Sequence, residues 1–205
     1  MLKSKWYNKP DELPSTEDLL GWSIYRPTAW YTLFSAEGAL IYSVWRNPSE
    51  IVLTKLLVFN KRRASKPAKL ELSQYLNRPK RKNASNHETV NNLNAVEQKL
   101  MSRMDMVQVP GKRHRRVPIL ITPEIGSAVD LLVDTRKQCD ISQQNRYFFE
   151  TDSIDRHLNT WLVLHNTATA AGVERPHLIS SSHLRKYIAT LSQVFYERHC
   201  KSFYH

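Results

Sequence analysis

Between Met106 and Leu120 the chain changes its periodicity, and that change limits the folds open to it. Val107 and Val109 alternate with polar residues, Pro110-Gly111 is a turn signal, and Val117, Ile119 and Leu120 resume the alternation. A period of two suits a strand and the Pro-Gly reverses its direction, so the stretch predicts a β-hairpin. Elsewhere apolar residues recur mainly at helical spacing. Thr28 to Arg46, with Trp30, Leu33, Phe34, Leu40, Ile41, Val44 and Trp45, predicts a largely buried helix that Asn47-Pro48 breaks. Ser49 then caps a second helix from Glu50 to about Asn60, built on Ile51, Val52, Leu53, Leu56 and Leu57. Shorter helices are expected after the Ser15 and Asp18 capping pair and over Asn94 to Met104. Thr122-Pro123-Glu124 is a helix start leading to about Lys137, with Ile125, Val129, Leu131, Leu132 and Val133 as its apolar set. Arg146 to Glu150 is extended, and Ser153 caps a helix that buries Ile154, Leu158, Trp161, Leu162 and Leu164 and stops at Gly172. The expected fold class is mainly α with a small antiparallel β-sheet.

Charge is distributed unevenly over these elements. Thirty Lys and Arg against nineteen Asp and Glu give +11, an excess that favours polyanions, nucleic acid before an anionic membrane surface. No apolar run approaches the ~20 residues a bilayer needs, so membrane insertion is excluded. Cys139 and Cys200 lack metal-ligand spacing and fit a reducing compartment; neither a metal nor a small-molecule cofactor is expected. Lys61 to Lys82 holds nine Lys or Arg and a single acid, Glu71, directly after an apolar helix. The hairpin tip carries Lys112, Arg113, His114, Arg115 and Arg116. Such a ribbon can enter a groove of a duplex and displace condensed counterions, although a charged strand edge that discourages sheet aggregation explains the same residues. Ser180 to Phe195 is an amphipathic helix on Leu184, Ile188, Leu191 and Phe195, with the serines as N-cap and His183, Arg185 and Lys186 in its first turns. Cations at that end oppose the helix dipole unless a phosphate offsets them; a solvated basic rim is the simpler alternative.

Three of these stretches resemble, in order, the boxes of the tyrosine recombinase (phage integrase) catalytic domain. Leu184-Arg185 and the following Ala189-Thr190 are similar to the box His-x-Leu-Arg-His, with Ser182 and Lys186 standing where the family has histidines. Lys61-Arg62-Arg63-Ala64-Ser65-Lys66 resembles the Arg-x-Ser-Glu box, Lys66 replacing the Glu. Val109 to Ile119 is similar to the hairpin pattern Gly-Lys-x-x-x-Arg-x-Val-Pro-Leu, Val117-Pro118 matching outright. The resemblance covers roughly residues 28 to 195 and implies an integrase-like catalytic core over 28–205 behind an N-terminal extension, 1–27. It implies that Arg63 and Arg185 hold the non-bridging oxygens of a DNA phosphodiester without metal help, and that Lys112 protonates the departing 5′-oxygen. Arg62, Arg113, Arg115, Arg116, His183 and Lys186 are then expected on DNA phosphates.

The family's third box, Leu-Gly-His, and its nucleophilic Tyr have no counterpart in this sequence. Tyr196 and Tyr204 follow Arg185 but lack the Gly-His context. The expectation is therefore a core that stops before the third box, either a truncated form or the remnant of a eukaryotic mobile element, that binds double-stranded DNA and does not complete strand transfer, with self-association on DNA left open. One alternative is an active strand-transfer enzyme that uses Tyr204 or a Tyr from a partner chain. Another is a non-catalytic module whose basic hairpin meets an acidic protein. Arg78-Pro79-Lys80-Arg81-Lys82 resembles a nuclear localisation cluster and fits DNA-binding surface equally, so the chain is expected to be nuclear or cytoplasmic.

Overall fold

A computed structural model describes residues 13–19, 42–61, 65–78, 95, 98–99, 102–111, 115–139, 141–142, 144–151 and 153–200, with side chains to residue 194 apart from that of Ser43. Its centre is helix α1, Tyr42–Asn60. Val52, Leu53, Leu56 and Leu57 are all buried, a run too wide for a single helix face, because α1 is packed by α4 (Pro123–Arg136) and α5 (Thr160–Ala170). Polar groups at these contacts are matched. Trp45 Nε1 donates to the Leu132 carbonyl at 3.0 Å, and the Thr54 and Thr167 hydroxyls meet at 3.2 Å. Thr167 already donates to Val163 O, so Thr54 is the donor between them.

The expected break at Asn47-Pro48 does not occur: α1 runs through Pro48. A helical proline forfeits one backbone bond and crowds the carbonyl four residues earlier, at a cost of about 3 kcal/mol or more. Burial of Trp45, Pro48 and Val52 on one side of the helix offsets it, and the Arg46 to Glu50 ion pair at 2.9 Å spans the proline. The expected helix over 28–41 lies outside the described residues, as does most of that over 94–104, where residues 95, 98 and 99 are helical. Helix α1 ends at Lys61, which adopts the left-handed conformation (φ 47) and donates its N–H to Leu57 O.

Two short helices follow, α2 (Ser65–Ala68) and α3 (Leu72–Leu76), burying Pro67, Ala68, Leu70 and Tyr75. The hairpin is present as predicted. β1 (Asp105–Pro110) pairs antiparallel with β2 (Arg116–Ile121), Asp105 opposite Ile121 and Pro110 opposite Arg116. Val107, Val109, Ile119 and Ile121 face the core, whereas Gln108, Pro110 and Arg116 are exposed. Gly111 N–H donates to Arg115 O, which makes their pair a hydrogen-bonded one. Counting back, Pro110, Pro118 and Leu120 fall at the alternate positions whose backbone groups point away from the partner strand. The two prolines therefore cost the ladder nothing.

Thr122 caps α4 as expected, its hydroxyl accepting from Ile125 N. After a 3₁₀ turn, Lys137–Cys139, the chain diverges from expectation. No helix starts at Ser153; α5 begins at Thr160 with Asn159 as its cap, and Ile154, Trp161 and Leu162 are exposed. The cause is a buried polar cluster. Asn145 Nδ2 donates to the Ser153 and Arg156 carbonyls, and Glu150 bridges to His157, which commits residues 153–157 to a tight turn with Asp155 at φ 57. Beneath it the Arg136 guanidinium reaches Glu150 Oε2 at 2.6 Å and the carbonyls of Asn145, Tyr147 and Phe148.

Gly172 (φ 71) ends α5 as predicted, and a 3₁₀ turn, Pro176–Leu178, leads to α6, Ser181–Cys200. Ser180 is its cap, accepting from His183 N. Leu184 enters the core, while Ile188 and Leu191 are half-buried. Residues 16–19 form a helical turn that rests on this region: Thr16 Oγ1 meets Tyr187 OH at 2.8 Å and Asp18 Oδ1 accepts from Glu174 N. Among the described residues no helix is long and apolar enough to cross a membrane, and no group of three or more His, Cys, Asp or Glu could hold a metal ion.

Candidate nucleic-acid interface

The hairpin is held from both edges, by Asn60 at the end of α1 and by Lys66 in α2. On the β2 side, Asn60 Nδ2 donates to Leu120 O at 2.9 Å and Asn60 Oδ1 accepts from Leu120 N at 2.8 Å. One side-chain amide thus imitates a neighbouring strand, satisfying both outward groups of Leu120. The same Nδ2 also donates to Leu56 O, which fixes the amide to the end of α1. On the β1 side, Lys66 Nζ donates to the outward carbonyl of Pro110. Asn60→Ala is expected to lower stability by about 1–3 kcal/mol, because it strands two backbone groups. Urea unfolding should show the lower midpoint at an unchanged m-value.

Helix α3 is tied to the other end of β1. Arg78 Nε pairs with Asp105 at 3.1 Å, and its guanidinium lies 3.8 Å from the centre of the Tyr75 ring. Burial, reinforced by the hydrogen bond to Asp130, pushes the Tyr75 hydroxyl well above its usual range. Arg78 is thereby a structural residue at 16% side-chain exposure, whereas the sequence placed it in a basic cluster. The remaining members of that cluster, Lys80 to Lys82, lie outside the described residues.

Of the residues singled out by sequence, Arg62, Arg63, Lys112 and Arg113 also lie outside the described residues. Their flanks do not: Asn60 and Lys66 bracket the first pair, Gly111 and Arg115 the second, and the Lys66 to Pro110 bond joins the two brackets. Arg115 and Arg116 are exposed beside the tip, Arg116 Nη1 donating to Gln108 Oε1 at 3.4 Å. His183, Arg185 and Lys186 occupy the first turns of α6. His183 Nδ1 lies 2.8 Å from Leu178 O; a carbonyl only accepts, so Nδ1 carries the proton and the ring is fixed. Arg185 is exposed, with Nε donating back to Ser181 O. Among the described residues no hydrogen bond or ion pair links Arg185 to the hairpin.

Sequence reasoning missed three features here. Lys66 and Lys69 line a small cleft of about 110 Å³ with Glu71, Val109, Pro110 and Tyr147. Arg146 sits 5.0 Å over the Tyr147 ring and pairs with Asp155 at 3.0 Å. A larger cleft, about 520 Å³, lies between α3 and the exposed face of the hairpin, lined by Gln74, Gln108, Val109, Pro110, Gly111, Arg115 and Arg116. The glutamines carried no signal, because each becomes meaningful only beside the other element.

No protein-family model matches the chain, and no curated protein matches it significantly. Solved structures do. XerH site-specific recombinase bound to its difH substrate, a pre-cleavage complex, superimposes with a TM-score of 0.53 at 15% identity, over 94% of this chain and 46% of that one. XerH bound to a palindromic difH substrate, a post-cleavage complex, gives 0.54 at 15% identity, over 92% and 44%. The fold is tyrosine recombinase-like. The chain spans less than half the length of either recombinase structure. Within its recombinase-like fold, the hairpin, the α1–α2 connection and the start of α6 are the elements on which the three sequence boxes fall.

Proposed function

We propose that this protein binds duplex DNA in the manner of a recombinase core, with the hairpin and the α1–α2 connection as one half of the interface and the start of α6 as the other. In this reading Arg63, Lys112 and Arg185 meet the phosphodiester, and Arg62, Arg113, Arg115, Arg116, His183 and Lys186 contact neighbouring phosphates. The observation that carries it is the pair of clamps, Asn60 to Leu120 and Lys66 to Pro110. They fasten the flanks of two basic stretches, distant in sequence, to one small sheet. A solvated charged face needs no such fastening, whereas a binding surface gains from held cations. His183 supports the α6 half: its Nδ1–H is held by Leu178 O, and in the imidazolium form Nε2–H is the donor left for a phosphate.

Fluorescence anisotropy with a random-sequence duplex across a salt series tests the proposal. Four or more phosphate contacts predict a log–log slope of about −3.6 or steeper. Arg116→Ala and Arg185→Ala should each weaken binding and make the slope shallower by about one contact. Lys137→Ala is the control: Lys137 lies beyond the far end of α4, roughly 20 Å of helix from the hairpin. Feeble binding even at low salt, or equal losses in all three variants, would overturn the proposal.

A further inference from the structure

The 520 Å³ cleft has a lining that is chemically one-sided. Gln74 Oε1 is engaged by Glu71 N–H in the capping box that opens α3, and Gln108 Oε1 accepts from Arg116. Each amide oxygen thus already has one partner, and the polar side chains of the cleft offer more donors than acceptors: two amide NH₂ groups and the guanidiniums of Arg115 and Arg116. Its floor is uncrowded, because Pro110 carries a compact ring and Gly111 no side chain at all. A donor-rich cleft of this kind suits a ligand edge made only of acceptors.

Among the surfaces of duplex DNA, the minor groove of A·T pairs has that character. It shows adenine N3 and thymine O2 alone, whereas G·C adds the guanine 2-amino donor. A·T runs also narrow the groove and deepen its negative potential, which attracts arginine. We infer that Gln74 and Gln108 read the minor groove while Arg115 and Arg116 hold the phosphates that border it, giving this protein a preference for A·T over G·C. The inference rests on the DNA-binding reading above and assigns it a base-recognition element. Phosphate contacts alone carry no base information, so such an element must come from groups of this kind.

Three duplexes of equal length, A·T, G·C and I·C, bound to the full chain under anisotropy decide it. Inosine·cytosine lacks the 2-amino group and so shows the A·T minor-groove pattern while keeping the guanine-like major-groove edge. The expected result is A·T and I·C binding about tenfold more tightly than G·C, with equal salt slopes. Gln108→Met, at an exposed strand position, should shrink the preference to under about threefold without changing the slope. Gln74→Glu, which keeps the capping acceptor and so the start of α3, should do the same to the preference. Equal affinity for all three duplexes with a steep salt slope would overturn the inference and leave the proposed function standing. An I·C duplex that behaves like G·C would overturn it in favour of major-groove reading. A preference untouched by either glutamine variant would remove it from this cleft. No binding to any duplex would overturn the proposed function, and this inference with it.

Discussion

Arg136→Met should lower the unfolding free energy by about 3–5 kcal/mol above pH 7, a large share of what a domain of this size possesses. The guanidinium of Arg136 is shared among Glu150 and three backbone carbonyls, and Glu150 is fully buried with Oε1 lacking any hydrogen bond. Removing the cation leaves a carboxylate with nothing to offset its desolvation. The pH dependence identifies the mechanism. Burial pushes the Glu150 carboxyl up, to about 7, against the pull of Arg136. The folded chain then keeps this proton where the unfolded chain, near ~4.3, has lost it. The group's contribution is therefore greatest below ~4.3 and declines as pH rises towards 7. Without Arg136 the opposing pull is gone, so the cost of the substitution should shrink at pH 5, where Glu150 can take up the proton, and be full above pH 7. Chemical denaturation of both proteins at pH 5 and pH 8 measures this. An equal cost at the two pH values would show that lost packing, and not the stranded charge, is responsible.

Gly111→Ala is expected to disrupt the end of the hairpin. A Cβ at this position would stand 2.5 Å from Arg115 O and 2.9 Å from Val117 Cγ2, inside the closing bond of the hairpin. The obstruction includes backbone, so the strands must part. Stability should fall by about 1–3 kcal/mol, as for other overpacked sites. Under the proposed function, DNA affinity should fall about tenfold, because the tip carries several of the cations assigned to phosphates. Gly126→Ala is the instructive counterpart. Its added methyl meets only Ile121 Cγ2 at 3.7 Å and lies within α4, so it should stabilise by about 0.5–1 kcal/mol. Thermal melts and anisotropy on the two variants should therefore move in opposite directions. A Gly111 variant with native melting and affinity would show that the hairpin end is free to relax.

What the sequence disclosed was set by how far its signals reach. The hairpin, the Thr122 cap and the Gly172 stop were legible because turn residues, caps and period-two alternation act over a few neighbouring residues. The passage of α1 through Pro48 was not. The local rule for proline is correct about its cost, but the compensating burial comes from α4 and α5, which lie more than seventy residues further along. The helix assigned to Ser153 failed for a related reason. Ile154, Leu158 and Trp161 have helical spacing, yet Asn145 and Glu150 claim the backbone between them. In the candidate site, the cations of the hairpin tip and of α6 could be named from sequence. The clamps made by Asn60 and Lys66 could not, since an asparagine at a helix end and a lysine in a basic run have many ordinary uses. Arg78 shows the converse: its place in a basic run reads as surface, yet it is spent on Asp105 and the Tyr75 ring.

The double clamp on the hairpin also bears on when the interface can exist. Its bonds join residues 44 and 60 positions apart, and the α1 to α4 contact that supports it, Trp45 to Leu132, closes a loop of 87. Closing such loops costs entropy before any contact repays it, so these pairings belong late in folding. The hairpin can form by itself early, as local turns do. Its basic tip then waits for the end of α1 to arrive. A chain still emerging from the ribosome would thus carry its positive charge without the arrangement that gives the charge a target. Under the proposed function, competence for DNA would be acquired in one step with the completed core.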